Sequence, residues 1–395
     1  MKDKDDICNG TITNQQNLQT IISTSFPSTE SIEYAFGYGS GVFIQEDENK
    51  INTNENSMID LIFSVSDPKA WHEENIKINP HHYAALPKLF GTNFISMVQN
   101  MGAGCYFNPM VQIDVDNVIQ EEEIKISHLV KYGVISHTRL KQDLMDWESI
   151  YVAGRMQKPI LPLQMKNESD TLDDEIYHLQ EEYNLKYALS TALLLLPQQQ
   201  SHYNSMKKKI KINHIFESIA GLSYIGDPRV VAGAEDPGKV SKLVNSNGQL
   251  DRFLSMYEYQ ISKLEQEGVI GIGGSRMDQK QQYEQGLFIE MDLNDAATRR
   301  KLYQNLPKNL QHFIQQSPSS SSLMMAPKNN SSPGSLNDAE IISFANYLTT
   351  VLSKIVGPPS RIQSGKGLLT AGLSKSIRYV GAKLAKGALR NFKSK

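Results

Sequence analysis

Tyr34-Ala35-Phe36-Gly37-Tyr38-Gly39-Ser40-Gly41-Val42-Phe43, followed after a polar stretch by Met58-Ile59-Asp60-Leu61-Ile62-Phe63, is the part of the chain that decides how the rest is read. Glycines at 37, 39 and 41 permit positive φ and let an anion reach backbone N–H groups with no Cβ in the way. The Ser40 hydroxyl adds a donor for a phosphate oxygen. The second block reads as a buried strand carrying one carboxylate, and Asp60 is costly to bury there unless it has a partner. A magnesium ion shared between Asp60 and a phosphate group would be such a partner. Taken alone, the same residues also suit a glycine-rich hairpin turn followed by a strand whose acid is solvated.

Two resemblances narrow this. A glycine-serine turn beside a strand carrying an acid is similar to the way nucleotidyltransferases related to DNA polymerase beta hold a nucleoside triphosphate and its magnesium. The strings YGSGVF (38–43), MIDLIFSVSDP (58–68), AWHEEN (70–75), HHYA (81–84), MGAGCYFNP (101–109), KYGVIS (131–136) and YVAGRMQKP (151–159) then follow in order. GDPRVVAGAEDPGKV (226–240) and KGLLTAGLSKSIRYVGAKL (366–384) come later. In this order and spacing the chain resembles the mitochondrial phosphatidate cytidylyltransferases, the translocator assembly and maintenance family. The resemblance implies an enzyme that converts CTP and phosphatidic acid to CDP-diacylglycerol and pyrophosphate with Mg²⁺. It also implies a peripheral protein on the matrix side of the inner mitochondrial membrane that feeds cardiolipin synthesis.

With 395 residues the chain has room for two domains and tails. No apolar run reaches the 18 residues that a spanning helix needs, and the Leu193–Leu196 run reads as a buried helix. Cys8 and Cys105 have no paired spacing, so neither a disulfide framework nor a zinc site is expected. The formal charge of -3 conceals a polarity, because residues 354–395 carry ten Lys or Arg and no Asp or Glu.

The expected fold is α+β. A polar N-terminus (1–30), expected to be disordered, precedes a nucleotidyltransferase domain (31–165). Asp3, Asp5 and Asp6 make that N-terminus unlike an acid-poor transit peptide. A mostly helical second domain (175–314), for which a winged-helix-like core is one arrangement, is followed by a Ser-rich linker (315–337), a helical segment (338–364) and a basic amphipathic helix (365–395). Gln120–Ser127 reads as an acidic insertion before a short strand at Val130–Ser136. Leu140–Ala153 reads as one helix with its apolar stripe at Leu140, Leu144, Trp147 and Tyr151.

The family strings assign roles. Gly39, Ser40 and Gly41 would bind nucleotide and Asp60 would ligate the metal. Ile62 stands where related enzymes carry a second strand carboxylate, so Asp67, Asp114 and Asp116 are the candidates to complete the site. Lys131, Arg155 and Lys158 would neutralise phosphates, as joining two polyanions requires. Arg229 and Lys239 would face the lipid phosphate, with an ion-pair network that includes Asp227 and Glu235 as the structural alternative. His72 reads as a packing or hydrogen-bonding residue beside Trp71.

The C-terminus is legible without the family. Leu369, Leu373, Ile377, Val380 and Leu384 fall on one side of a helical wheel; Lys375, Arg378, Lys383, Lys386 and Arg390 fall on the other. That pattern suits an anionic membrane surface, and a nucleic-acid partner is not expected. Packing of this helix on the protein's own core is the competing account. Two rival functions stay open at this stage: a nucleotidyltransferase with an RNA or protein acceptor, and a non-catalytic membrane-associated scaffold of protein import.

Overall fold

Ile59, Leu61, Phe63 and Val65 alternate with Asp60, Ile62 and Ser64, and period-two alternation sends the two sets to opposite faces of a sheet. The computed structural model describes residues 4–43, 58–119, 122–163, 172–199, 208–231, 238–246, 248–273, 286–316 and 338–371. It divides into two units, Met1–Lys141 with Ile160–Tyr177 and Pro359–Lys395, and Gln142–Pro159 with His178–Pro358.

In the first unit, β1 (Ile32–Tyr38), β2 (Ile59–Val65), β3 (Cys105–Ile119), β4 (Glu122–Ser136) and β5 (Ile160–Leu163) form one sheet in the order β3-β4-β2-β1-β5. β2 and β4 are parallel and the other pairs antiparallel. The apolar set of β2 packs with Val130, Tyr132 and Val134 of β4, with Trp71 of α2 (Pro68–Ile78), and with Leu18, Ile21, Ile22 and Phe26. The last four come from or follow helix α1 (Lys4–Ser25), where a disordered N-terminus is expected from composition. The apolar spacing at 18, 21 and 22 is helical and supplies core side chains that the surrounding Asn, Gln and Thr residues obscure.

The long β3–β4 hairpin absorbs the expected acidic insertion, since Glu122–Glu123 pair with Val118–Ile119 and extend the strand read at Val130–Ser136. α3 (Ala85–Asn100) follows α2 and is kinked at Gly91, whose φ is 71°.

Beneath α2 and α3 lies a buried polar network. Asn75 Nδ2 donates to the Tyr83 and Tyr132 hydroxyls, and Asn108 Nδ2 also donates to Tyr132. His72 is bonded to the Tyr83 hydroxyl at 2.8 Å and to Gln99 Oε1 at 2.9 Å. Burial pushes the His72 imidazole down to about 4, which the Gln99 bond opposes only in part. The folded protein therefore holds His72 neutral while the unfolded chain takes up a proton below about 6.5, so stability falls as pH drops from 6.5 toward 4. A His72→Gln variant is expected to be less stable near pH 7, yet to lose about 3 kcal/mol less than wild type across that window. Urea melts at pH 7 and pH 4.5 check this.

The second unit is mainly helical. Helix α4 (His137–Asp146) ends before Trp147, whereas one helix over Leu140–Ala153 is expected. Trp147 and Ile150 both have φ of 54°, and the chain turns twice before the short α5 (Ala153–Met156). α6 (Leu172–Leu179), most of which belongs to the first unit, and a π-helical turn (Gln180–Leu185) lead into α7 (Lys186–Gln199), whose Leu193–Leu196 run is buried, as the sequence suggests. α8 (Ile212–Leu222), α9 (Pro228–Val231), α10 (Lys239–Asn245) and α11 (Gln249–Gln266) follow, with Phe216, Phe253 and Tyr257 in ring contact. β6 (Lys208–Lys211), β7 (Gly271–Gly273) and β8 (Phe288–Met291) form an antiparallel sheet in the order β6-β8-β7. α12 (Ala296–Gln304) and α13 (Lys308–Gln315) complete the unit before the last described helix, α14 (Asp338–Ala371).

Two expected boundaries move. Arg155 and Lys158, expected in a domain spanning 31–165, belong to the second unit. No break separates 338–364 from 365 onward, because α14 runs through to Ala371. The linker over 317–337 lies outside the described residues.

Candidate active site

Strand register builds the first cluster. Tyr38 pairs with Asp60, and Asp60 pairs with Lys131, so a row crosses three strands on the face opposite the apolar set. Lys131 Nζ donates to Asp60 Oδ1 at 2.7 Å and to the Tyr38 hydroxyl at 3.5 Å. It also lies 5.0 Å from the centre of the Phe107 ring. Gly133 makes room for that ring, since a Cβ there would sit 2.6 Å from Phe107 Cε1. The Asp60 and Lys131 side chains keep about a fifth of their surface exposed, at 20% and 23%, so the pair is open to a ligand.

The glycine turn closes on the same strand. Gly39 has φ of 81°, and a Cβ on it would lie 3.6 Å from Asp60 Oδ2. A Cβ on Gly41 would lie 2.1 Å from the Met58 carbonyl oxygen, a distance no side chain tolerates. Gly41 therefore lets the turn pack against the chain entering β2, while Gly39 leaves open the approach to the carboxylate. Gly39 O accepts from the Val42 N–H at 3.2 Å, and among the described residues no backbone carbonyl accepts from the Ser40 or Gly41 N–H. Ser40 is exposed at the tip.

The fit to magnesium follows from these donors. Mg²⁺ binds through one or two carboxylates together with substrate phosphates and waters. A single partly exposed carboxylate beside a glycine turn with an exposed serine matches that habit. Among the described residues no group of three His, Cys, Asp or Glu side chains gathers for a metal. Ile62, on the same face of β2 as Asp60, is fully buried. Asp67 lies beyond the other end of β2 and caps α2, its Oδ1 accepting from Lys69 N and Ala70 N. Asp114 is exposed on β3, opposite Ser127 of β4. Asp116 is opposite Lys125, and its side chain lies outside the described residues. None of the three is brought to Asp60 by the strand pairing.

The second unit gathers the other cations. Lys158 Nζ donates to Gly154 O at 2.6 Å and to Ser223 Oγ at 2.8 Å. Lys158 and Lys239 lie over one Tyr224 ring, 5.3 Å and 5.2 Å from its centre, and Arg155 lies 4.1 Å over Tyr151. Burial, and then the neighbouring Arg155 and Lys239 charges, push Lys158 down to about 7. Arg229 pairs with the buried Asp227 carboxylate at 2.6 Å. Burial disfavours the Arg229 charge, but the Asp227 bonds outweigh it and hold the guanidinium above its ordinary range. The expected triphosphate pair and lipid-phosphate pair thus occupy one neighbourhood of this unit. Glu235 lies outside the described residues.

One residue that sequence reasoning passed over positions this cluster. Asp143 is buried, and its two oxygens accept from Ser149 N, Ser149 Oγ, Ile150 N, Val152 N and Ala153 N at 2.9–3.0 Å. These bonds fix the double turn that carries Tyr151, Arg155 and Lys158. An acid in a helical stripe a few residues before a Trp gave no sign of that role.

The profile of the family described as "Phosphatidate cytidylyltransferase, mitochondrial" matches residues 18–386. The chain belongs to this family. A rat protein of that name is 37% identical over 374 residues, covering 92% of this chain and 93% of the rat protein. A Drosophila melanogaster protein of the same name is 32% identical, covering 88% and 92% of the two chains. One from Schizosaccharomyces pombe is 31% identical, covering 91% and 81%. The family match contains the glycine turn, Asp60 and Lys131 of the first unit and Arg155, Lys158, Arg229 and Lys239 of the second. The relatives are named mitochondrial, and among the described residues no helix is long and apolar enough to cross a membrane.

Proposed function

We propose that this chain transfers the cytidylyl group of CTP to the phosphate of phosphatidic acid, forming CDP-diacylglycerol and releasing pyrophosphate, in mitochondrial phospholipid and cardiolipin synthesis. The observation that carries the reading is the Asp60 carboxylate facing Gly39 of the phosphate-accepting turn, in a chain whose family bears this activity as its name. Support for a nucleotidyltransferase fold of the DNA polymerase beta kind comes from the mixed sheet with its acid on the strand following the glycine turn. Support for a winged-helix-like second unit comes from its three-stranded antiparallel sheet among helices.

The Ser40 hydroxyl and the turn amides cradle the triphosphate. Asp60, with phosphate oxygens of the substrate, would hold Mg²⁺, which when bound supplies charge neutralisation at the triphosphate and the departing pyrophosphate. Lys131 pairs with Asp60 and adds a positive charge beside the turn. Arg155 and Lys158 serve the triphosphate, and Arg229 and Lys239 the lipid phosphate. The nucleophile is the lipid's own phosphate oxygen, already largely ionised at neutral pH, so a strong general base is unnecessary. In-line positioning and charge neutralisation supply most of the acceleration. The location that fits is the matrix face of the inner mitochondrial membrane, held peripherally by anionic lipid.

Labelled CTP, Mg²⁺ and phosphatidic acid in detergent micelles test the reading directly. The expected product is labelled CDP-diacylglycerol, and its absence at saturating Mg²⁺ would overturn the assignment.

Lys158 allows a finer test. An anion bound beside it raises its pKa from about 7, so binding draws in a proton near neutral pH. Calorimetry of CTP binding at pH 7.5, in two buffers of different ionisation enthalpy, should show proton uptake in wild type that Lys158→Met lacks. Equal proton counts in the two proteins would move Lys158 out of the nucleotide site.

A further inference from the structure

Among the described residues eleven large apolar side chains are exposed, and five of them, Leu86, Leu89, Phe90, Met97 and Met101, fall on α3 or its C-cap. Leu89 is 75% exposed, Phe90 59% and Met97 58%. The inner side of the same helix is ordinary core, with Ile95 and Val98 packed against Tyr83 and Tyr106. A sixth exposed residue, Ile362 of α14, adjoins the patch, its Cγ2 only 2.9 Å from where a Cβ on Gly102 would lie. Such a concentration of apolar surface marks an interaction site.

Charge indicates what covers it. Residues 75–113 contain no Asp or Glu and Lys88 is exposed within them, whereas the exposed Lys77 pairs with Glu73 at 3.3 Å. The segment attached beside the patch has the same character. Lys366 of α14 is buried and donates to Gln99 O, Met101 O and Cys105 O at 3.1, 2.9 and 2.9 Å. Gln363 Nε2 also donates to Cys105 O, at 3.1 Å. These bonds fasten α14 to the C-terminal end of α3. They hold the part of α14 that precedes the acid-free basic tail, 372–395, beside Met101. An apolar face on an acid-free stretch that carries Lys88 and adjoins the helix leading into a basic tail suits a lipid surface carrying negative charge.

We propose that the outer face of α3, from Leu86 to Met101 with Ile362, docks in the headgroup boundary of an anionic bilayer as a membrane contact separate from the tail. The inference rests on the lipid-substrate reading above only for the identity of the membrane's lipid. Gly91 favours such docking, because its left-handed conformation interrupts the helix just after Leu89 and Phe90, at the most exposed point of the patch.

The test uses the full chain and vesicles of phosphatidylcholine with about 30% phosphatidic acid, an anionic surface of the kind that attracts basic segments. Leu89→Glu with Phe90→Glu should lower vesicle flotation at least about tenfold, from the lost burial of two large side chains and the added charge. Turnover of detergent-dispersed short-chain phosphatidic acid should stay within about twofold, because neither residue belongs to either cation cluster. A Met97→Cys protein in a Cys8→Ser background, labelled with an environment-sensitive fluorophore, should shift to the blue on adding the same vesicles. It reads the surface even if the double variant folds poorly. Unchanged flotation with no blue shift would overturn the proposal. So would stronger flotation of the double variant together with new protease cleavage within 372–395, which would make the tail itself the occupant. A wild-type dimer that the substitutions convert to monomer would assign the face to a second copy of the chain. Loss of turnover in detergent by wild type would defeat the enzymatic reading and leave the flotation result standing.

Discussion

Asp60→Asn should lower turnover at least a hundredfold, about 2.7 kcal/mol on the scale of tenfold per 1.36 kcal/mol. The substitution keeps side-chain shape and an oxygen that still accepts from Lys131, 2.7 Å away in the native pair. What it removes is the negative charge that a magnesium ion requires beside the glycine turn. The fold should survive, because the pair keeps part of its surface exposed at one end of the strands and belongs to no apolar core cluster. Thermal melting within a few degrees of wild type, together with collapsed activity at saturating Mg²⁺, is the expected combination. Retention of a tenth or more of wild-type activity would end the metal-ligand role. Lys131→Met offers a contrast. It removes the lysine that pairs with Asp60, so it should weaken CTP use while increasing the Mg²⁺ dependence, as the ion would take the place of Lys131 as counter-charge to that carboxylate.

The glycine turn and Asp60 are legible in the sequence because their chemistry is local: three glycines, a serine and an acid within an apolar strand announce themselves by composition. The partnership of Asp60 with Lys131 is not local. The two residues lie 71 positions apart and meet only through the parallel register of β2 on β4, which no single-strand pattern contains. Gly133 and Phe107 are invisible for the same reason, since the glycine serves a ring on the neighbouring strand. Several strings that carry the family resemblance prove structural at close range. His72 and Asn75 of AWHEEN, His82 and Tyr83 of HHYA, and Asn108 of the FNP segment converge on one buried network around Tyr132. Their polarity alone suggests chemistry, but their bonds are to one another. α1 escapes a compositional reading because three core residues at helical spacing are outnumbered by amides and hydroxyls. Asp143 escapes because four of its five donors are backbone N–H groups, which every sequence possesses.

Removing residues 372–395 should separate catalysis from membrane delivery. The wheel pattern begins at Leu369, and a cut before Gly365 takes the whole stripe, but it also removes Lys366. That lysine is buried, with burial pushing it down to about 8, and it satisfies carbonyls at the C-terminal end of α3 and at the start of β3. The cut strips Gln99 O of this donor, at about 1–3 kcal/mol where water cannot replace it, while Met101 O keeps Gly104 N and Cys105 O keeps Gln363 Nε2. The shorter cut product would thus melt earlier for reasons unrelated to lipid. A chain ending at Ala371 keeps Gln363, Lys366 and the buried Thr370, and loses Leu373, Lys375, Ile377, Arg378, Val380, Lys383 and Leu384, all outside the described residues. Its melting temperature and its CTP binding should match wild type. Its activity on phosphatidic acid in bilayers should fall at least tenfold, while activity on detergent-dispersed substrate holds within about twofold. Wild-type flotation should itself weaken as salt rises, since the basic face acts through charge screened over ~10 Å at 0.1 M. Equal activity of the two proteins on vesicles would assign the whole membrane contact to the described residues. Loss of CTP binding would show instead that 372–395 pack against the catalytic units.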